Sequence, residues 1–236
     1  MGGMYLCGLQ KLSMVDFPDK IAATVFTGGC NLRCPYCHNA LLVTRLSESP
    51  ALPTEEVLRF LRSRRGLLDG VVLSGGEPLL QPDAADFLRQ VRDLGFAVKL
   101  DTNGCYPDAL AAILEAGLVD FVAMDVKNCR EKYGLTVGVP TLDLRPIEES
   151  IGLIRASGLD HEFRTTVVRE LHTAADLLAI GDWLDGAPRY ALQQFVDSGN
   201  LVEEERRFHP HPDDFLRAAA EQLRPRFGRV LLRGID

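Results

Sequence analysis

Short β-branched and apolar runs alternate with amphipathic stretches along the chain. Ile21–Thr27 (IAATVFT) predicts a strand, and Thr54–Arg65 predicts a helix with Thr54 as its N-cap after Pro53. Val71–Ser74 predicts a buried strand that ends in two glycines. Pro82–Leu94 follows as a helix stopped by Gly95, and Phe96–Leu100 as a strand running into Asp101-Thr102-Asn103-Gly104. Pro107–Ala116 is a predicted helix stopped by Gly117, and Phe121–Met124 a strand ending at Asp125. Ile147–Ala156 is a helix closed by Gly158. A strand at Glu162–Val168, a helix at Ala174–Leu184 and a strand at Tyr190–Val196 come next. A helix at Asp213–Leu223 and a strand at Val230–Leu232 complete the series.

Strand–helix–strand repetition means a parallel sheet with crossover helices, and near-continuous apolar strands fit a sheet buried on both faces. About six such units fill the chain, too few for a full eight-stranded barrel. The expected fold is therefore α/β: a partial (β/α)6-type barrel of parallel strands with its active site at the C-terminal strand ends. The 236 residues read as a single domain, with residues 1–20 as a lead-in, 21–196 as the core and 197–236 as a C-terminal helix and strand. No internal repeat or Gly/Ser/Pro-rich linker interrupts it.

The formal net charge of −7 argues against broad binding to a nucleic-acid backbone. No apolar run reaches the roughly 18 residues that a membrane span needs. The N-terminal Met-Gly-Gly-Met-Tyr-Leu lacks a basic region and an apolar core, and its sixth residue is not the Ser or Thr of a myristoylation motif, so a cytoplasmic protein is expected. In a reducing compartment, crowded thiols point to metal or redox chemistry.

The strand ends carry that chemistry. After the first strand come Cys30, Cys34 and Cys37 in a C-x3-C-x2-C loop, and after the second Gly75-Gly76-Glu77-Pro78. Asp101-Thr102-Asn103-Gly104 follows the third strand and Asp125-Val126-Lys127 the fourth. The fifth bears Arg164, and the sixth Gln193 and Gln194. A structural zinc site prefers four ligands in closed pairs, and an ordinary iron–sulfur electron carrier also uses four cysteines. Three thiolates on one loop would leave one iron of a [4Fe–4S] cluster open. The competing reading, zinc with His38 as fourth ligand, suffers because His38 directly follows Cys37. Two glycines after a strand can mark only a tight turn. On the cysteine rim they would also let a ligand approach the backbone, with Glu77 accepting from an amine.

The C-x3-C-x2-C loop and the Gly-Gly-Glu-Pro strand end together resemble the radical S-adenosylmethionine superfamily, and Tyr36 before the third cysteine fits it. Gly8–Lys20 and Cys34-Pro35-Tyr36-Cys37-His38-Asn39 resemble the glycyl-radical-enzyme activases, nearest to the longer activating proteins of anaerobic ribonucleoside-triphosphate reductase. Asp101–Gly104 and Asp125–Lys127 resemble segments of pyruvate formate-lyase activating enzyme. The likeness weakens after about Val168.

The resemblance implies a [4Fe–4S] cluster on Cys30, Cys34 and Cys37, with S-adenosylmethionine on the open iron. One electron, from a low-potential donor such as flavodoxin or ferredoxin, would cleave it to a 5′-deoxyadenosyl radical that takes hydrogen from a glycine of a partner enzyme. Gly75, Gly76 and Glu77 would meet the methionine amino group, and Tyr36 would flank the adenine. Lys127 and Arg164 could offset the carboxylate or be plain strand-end salt bridges. Asp101, Thr102 and Asp125, beside Asn103, could hold a monovalent cation, or Asp101–Gly104 could be only a turn.

Other features read blandly. Cys7, Cys105 and Cys129 are expected as small buried apolar residues, Cys105 being nearest the rim. His209-x-His211 reads as an exposed turn and residues 203–207 as a solvated charge run. The long 128–146 connection could touch the partner. The rival functions are activation of another glycyl radical enzyme, a small-molecule radical enzyme such as a deazapurine synthase, and a non-catalytic zinc module. If the Asp101 oxygens hold a cation, activity should require sodium or potassium, and Asp101→Ala should lose that requirement.

Overall fold

The structure, a computed structural model, describes residues 4–49, 51–197, 199–203 and 205–235. Met1–Gly3 of the lead-in and Glu204 of the charge run lie outside the described residues. The fold is α/β with a mostly parallel sheet. Its strands are β1 Leu6–Ser13, β2 Ala22–Thr27, β3 Gly70–Gly75, β4 Ala97–Thr102, β5 Phe121–Asp125, β6 Asp160–Val167, β7 Arg189–Gln194 and β8 Arg229–Arg233. Its helices are α1 Ala40–Val43, α2 Thr54–Arg62, α3 Ala84–Asp93, α4 Pro107–Glu115, α5 Tyr133–Thr136, α6 Arg145–Ala156, α7 Ala174–Trp183 and α8 Asp213–Leu223.

Each strand expected from the sequence is present, with shifted ends. β4 runs on through Asp101 and Thr102, which places both side chains in the strand and not in a turn. β7 stops at Gln194, and α2 stops at Arg62, where the Ser63 hydroxyl donates to the Phe60 carbonyl (2.7 Å). β1 is a correction: its residues were expected as a lead-in, but they form an edge strand antiparallel to β2, with Leu9 opposite Val25. With β1 the described residues form eight strands, where the sequence pattern marked seven. The 128–146 connection also has structure of its own, because α5 lies inside it.

The chain divides into two compact units: residues up to Asn31 with Leu41–Ala123 and Pro146–Asp160, and Leu32–Ala40 with Met124–Arg145 and His161–Asp236. In the first unit β1, β2, β3 and β4 are successive neighbours, with Val25 opposite Leu73 and Leu73 opposite Leu100 in parallel register. The strands are apolar because both faces are covered. Helix α2 buries Val57, Leu58 and Leu61, and α3 buries Phe87, Leu88 and Val91, positions three or four residues apart on one helical face. Lys99, 2% exposed, is a charge inside this core. It is tolerated because its ammonium meets Asp101 Oδ1 at 2.5 Å and lies 5.9 Å from the Phe121 ring centre.

In the second unit β6, β7 and β8 are successive parallel neighbours, Phe163 opposite Tyr190 and Tyr190 opposite Val230. Helix α7 starts in a capping box: the Thr173 hydroxyl accepts from the Asp176 N–H (3.3 Å), and the Asp176 carboxylate accepts from the Thr173 N–H (2.8 Å). Asp176 also accepts from the Lys132 ammonium at 2.6 Å. Burial acts to raise the Asp176 pKa, but the Lys132 and Thr173 donors outweigh it and hold the carboxyl below the usual range. A carboxyl depressed by folding adds stability above its unfolded pKa and loses it as pH falls through the folded value. Asp176→Asn should therefore cost about 1–2 kcal/mol at neutral pH. Urea unfolding should show the gap to the native chain closing below about pH 4.

Candidate functional site

In the first unit the ends of β2, β3 and β4 gather Cys30, Gly75, Gly76, Glu77, Asp101, Thr102 and Asn103. Gly75 has φ +128°, and a Cβ there would strike the Thr27 backbone; one at Gly76 would strike the Gly29 carbonyl oxygen. Only glycine lets the two loops come this close, and the approach is sealed by the Glu77 N–H donating to the Gly29 carbonyl at 2.8 Å. Glu77 is fully buried. Its Oε1 accepts from the Leu79 N–H (3.0 Å) and the Thr102 hydroxyl (2.8 Å), and its Oε2 from the Asn103 N–H (2.7 Å).

Asn103 passes this order on. Its amide donates to Asn31 Oδ1 (2.9 Å) and lies 3.8 Å from the Cys30 sulfur, and its Oδ1 accepts from the Cys105 N–H (2.9 Å). Cys105 therefore touches the rim through its backbone. Asp101 Oδ2 accepts from the Ser74 hydroxyl at 3.0 Å, so with Lys99 on its other oxygen this carboxylate is held by the chain itself.

The second unit places Cys34, Tyr36, Cys37, Asp125, Lys127 and Arg164. The Asp125 carboxylate receives Arg164 Nε on one oxygen and the Lys127 ammonium on the other (2.9 Å). Burial acts to raise the Asp125 pKa, but the two cations outweigh it and hold the carboxyl well below the usual range. Burial acts to lower the Lys127 pKa; Asp125, Tyr36 and Cys34 outweigh it, and Lys127 stays cationic. Lys127 and Arg164 thus form the strand-end salt bridge that the sequence left as one alternative. Tyr36 is 4% exposed, and its hydroxyl has no hydrogen-bond partner among the described residues. Burial and the nearby Cys34 push its pKa well up. Burial likewise raises the Cys37 thiol and lowers His38.

The remaining candidates separate from these. His209 pairs with Glu170 (2.7 Å), and His211 stacks on Phe215 with ring centres 3.7 Å apart, so each has its own partner. Gln194 donates to the His211 carbonyl (2.7 Å) and is structural. Cys129 is buried, whereas Cys7 and Cys105 are only half-buried, a correction to the buried reading of all three. Glu203, Glu205, Arg206 and Arg207 are exposed. Among the described residues no helix is long and apolar enough to cross a membrane.

The sequence reading missed Ser74 and Lys99, which hold Asp101, and His172, whose ring meets the Lys127 carbonyl at 2.8 Å. A lysine inside an apolar strand two residues before an aspartate was the available signal for the first pair. Nothing local marked His172.

The sequence model of the radical SAM superfamily matches residues 24–183. The chain belongs to this superfamily. A Methanocaldococcus jannaschii protein provisionally named a glycyl-radical enzyme activating enzyme is 32% identical over 234 residues, covering 97% of this chain and 95% of that one. The pyruvate formate-lyase-activating enzyme of Clostridium pasteurianum is 34% identical over 125 residues, 51% of each chain. The crystal structure of Streptococcus suis SuiB bound to precursor peptide SuiA superimposes with a TM-score of 0.69 at 16% identity, over 87% of this chain and 46% of that one. The chain thus spans about half the length of the clostridial enzyme and of SuiB.

This radical SAM protein is an enzyme, and its cofactors are a [4Fe–4S] cluster and S-adenosylmethionine. The residues present suit them. Cys30, Cys34 and Cys37 form no disulfide among the described residues, and thiolates are the soft donors that iron–sulfur clusters take. The orphaned Tyr36 hydroxyl is a buried donor of the kind a polar ligand satisfies.

Glu77→Gln keeps the shape of this side chain but replaces the carboxylate that accepts from Leu79, Thr102 and Asn103. It should lower stability by about 1–3 kcal/mol in urea unfolding and weaken S-adenosylmethionine binding in the same sample.

Proposed function

We propose that this radical SAM enzyme is an activase that installs a glycyl radical on a large partner, the anaerobic ribonucleoside-triphosphate reductase. The observation that carries the activase reading is the extent of the M. jannaschii match, which includes 97% of the chain and so reaches beyond the 24–183 core. The choice of reductase rests on the Gly8–Lys20 and Cys34–Asn39 segments. Residues 1–236 act as one catalytic domain in this reading, in a reducing cytoplasm that keeps the thiols open.

When bound, the cluster and S-adenosylmethionine supply one-electron C–S cleavage and the carbon radical that takes hydrogen from a partner glycine. The protein's part is ligation and placement. Cys30, Cys34 and Cys37 ligate the cluster as thiolates. The Gly75–Gly76 backbone admits the methionine amino end, and Glu77 holds Thr102 and Asn103 in place beside it. Tyr36 flanks the adenine with its buried ring. Lys127 and Arg164, aligned by Asp125, meet the carboxylate. A monovalent cation at Asp101 and Thr102 would share Asp101 with Lys99. The electron comes from a flavodoxin or ferredoxin, and the 128–146 connection contacts the partner.

The test is electron paramagnetic resonance under strict anaerobiosis, on reconstituted, reduced protein with S-adenosylmethionine and the reductase of the same organism. A stable glycyl doublet, absent in Cys34→Ala, is the expected result. A cluster signal perturbed by S-adenosylmethionine, without a doublet, would reject this partner and turn the search to formate-lyase-type enzymes and small molecules.

A further inference from the structure

We propose that His172 is the positioning residue for Lys127, its imidazole fixing the Lys127 carbonyl and so aiming the ammonium at the end of β5. This rests on the reading that Lys127 meets the carboxylate of S-adenosylmethionine. β5 ends at Asp125, and the Val126 N–H donates to the Arg164 carbonyl at 2.9 Å, so Lys127 lies beyond the strand. Lys127 lies in irregular backbone, whose orientation has to come from elsewhere.

It comes from the turn after β6. His172 is 1% exposed, and both of its ring nitrogens are engaged. Nδ1 lies 3.0 Å from the Val168 N–H and 3.3 Å from the Val168 carbonyl, and Nε2 lies 2.8 Å from the Lys127 carbonyl. An amide N–H can only donate, so Nδ1 is the bare acceptor; a carbonyl can only accept, so Nε2 carries the proton. The shorter contacts thus select one neutral tautomer. Burial pushes the ring's pKa down, which keeps it neutral; Asp176 and His211 are the charged and titratable side chains that bear on it.

The same turn grips the next residue. The Asn128 amide donates to the Leu171 carbonyl (3.1 Å) and to the Thr136 hydroxyl (2.8 Å), and the His172 carbonyl meets His211 Nε2 at 2.8 Å. A neutral donor suits this place. A lysine or arginine holding the Lys127 carbonyl would compete for Asp125, whereas imidazole holds it without a third cation.

The test is equilibrium dialysis of S-adenosylmethionine against the reconstituted protein. His172→Asn keeps an acceptor for Val168 but cannot reach Lys127, and should bind about tenfold more weakly. His172→Gln restores a donor at the Nε2 position and should stay within about threefold of the native chain. In a Lys127→Met background His172→Asn should add no further loss, because the histidine acts through that lysine. Native binding in His172→Asn, equal loss in the Gln variant, or additive losses in the double variant would each overturn the proposal. Native binding in Lys127→Met would instead sink the Lys127 reading, and this proposal with it. Nitrogen-15 spectra of histidine-labelled native protein provide a check that needs no variant: a neutral ring protonated on Nε2 is expected, and an Nδ1–H ring or an imidazolium would overturn the assignment.

Discussion

A buried carboxylate has to be satisfied, and in the first unit that requirement organises everything around it. Glu77 has no exposed surface and takes two backbone N–H groups and one hydroxyl, from the segment after β3 and from the end of β4. Thr102 and Asn103 are thereby fixed, and Asn103 in turn orders Asn31, Cys30 and Cys105. Cys30, after β2, is thus connected through Asn103, after β4, to the carboxylate that follows β3 between them.

The second unit solves a related problem with charges in place of backbone donors. Asp125 aligns Lys127 and Arg164, so two long flexible side chains are held by one short rigid one. A lysine confined in this way loses less freedom when it meets a ligand than a solvated one would. The two units therefore prepare different chemistry: hydrogen-bonded thiol and backbone surfaces in one, oriented cations in the other.

Most of this fold could be read from the sequence because β2, β3 and β5 are buried and largely apolar, and because the strand ends carry unusual residues. β1 was illegible for a physical reason. It is an edge strand whose Leu6 is buried, whose Gln10, Lys11 and Leu12 are exposed, and whose register shifts twice, so no period of two survives in its sequence. The site was legible as a set of residues and illegible as a set of bonds. That Asp101 is claimed by Lys99 and Ser74 depends on registers between strands, which no local pattern encodes. His172 was hidden because its partner lies 45 residues away and is a backbone carbonyl, which leaves no trace in residue type.

The backbone of the cysteine loop has one more property. The Arg33 N–H donates to the Val137 carbonyl (2.9 Å) and the Cys37 N–H to the Cys34 carbonyl (3.0 Å). The Cys37 and Pro35 carbonyls accept from the N–H groups of Val202 (3.0 Å) and Glu203 (3.1 Å). Gly138 packs so tightly on the Arg33 carbonyl that a side chain there would not fit. Residues 33–37 of the loop are thus tied by main-chain bonds to Val137 and to residues 202–203, all within the second unit. Because these ties run through main-chain groups, a change of side chain between Cys34 and Cys37 would leave them in place.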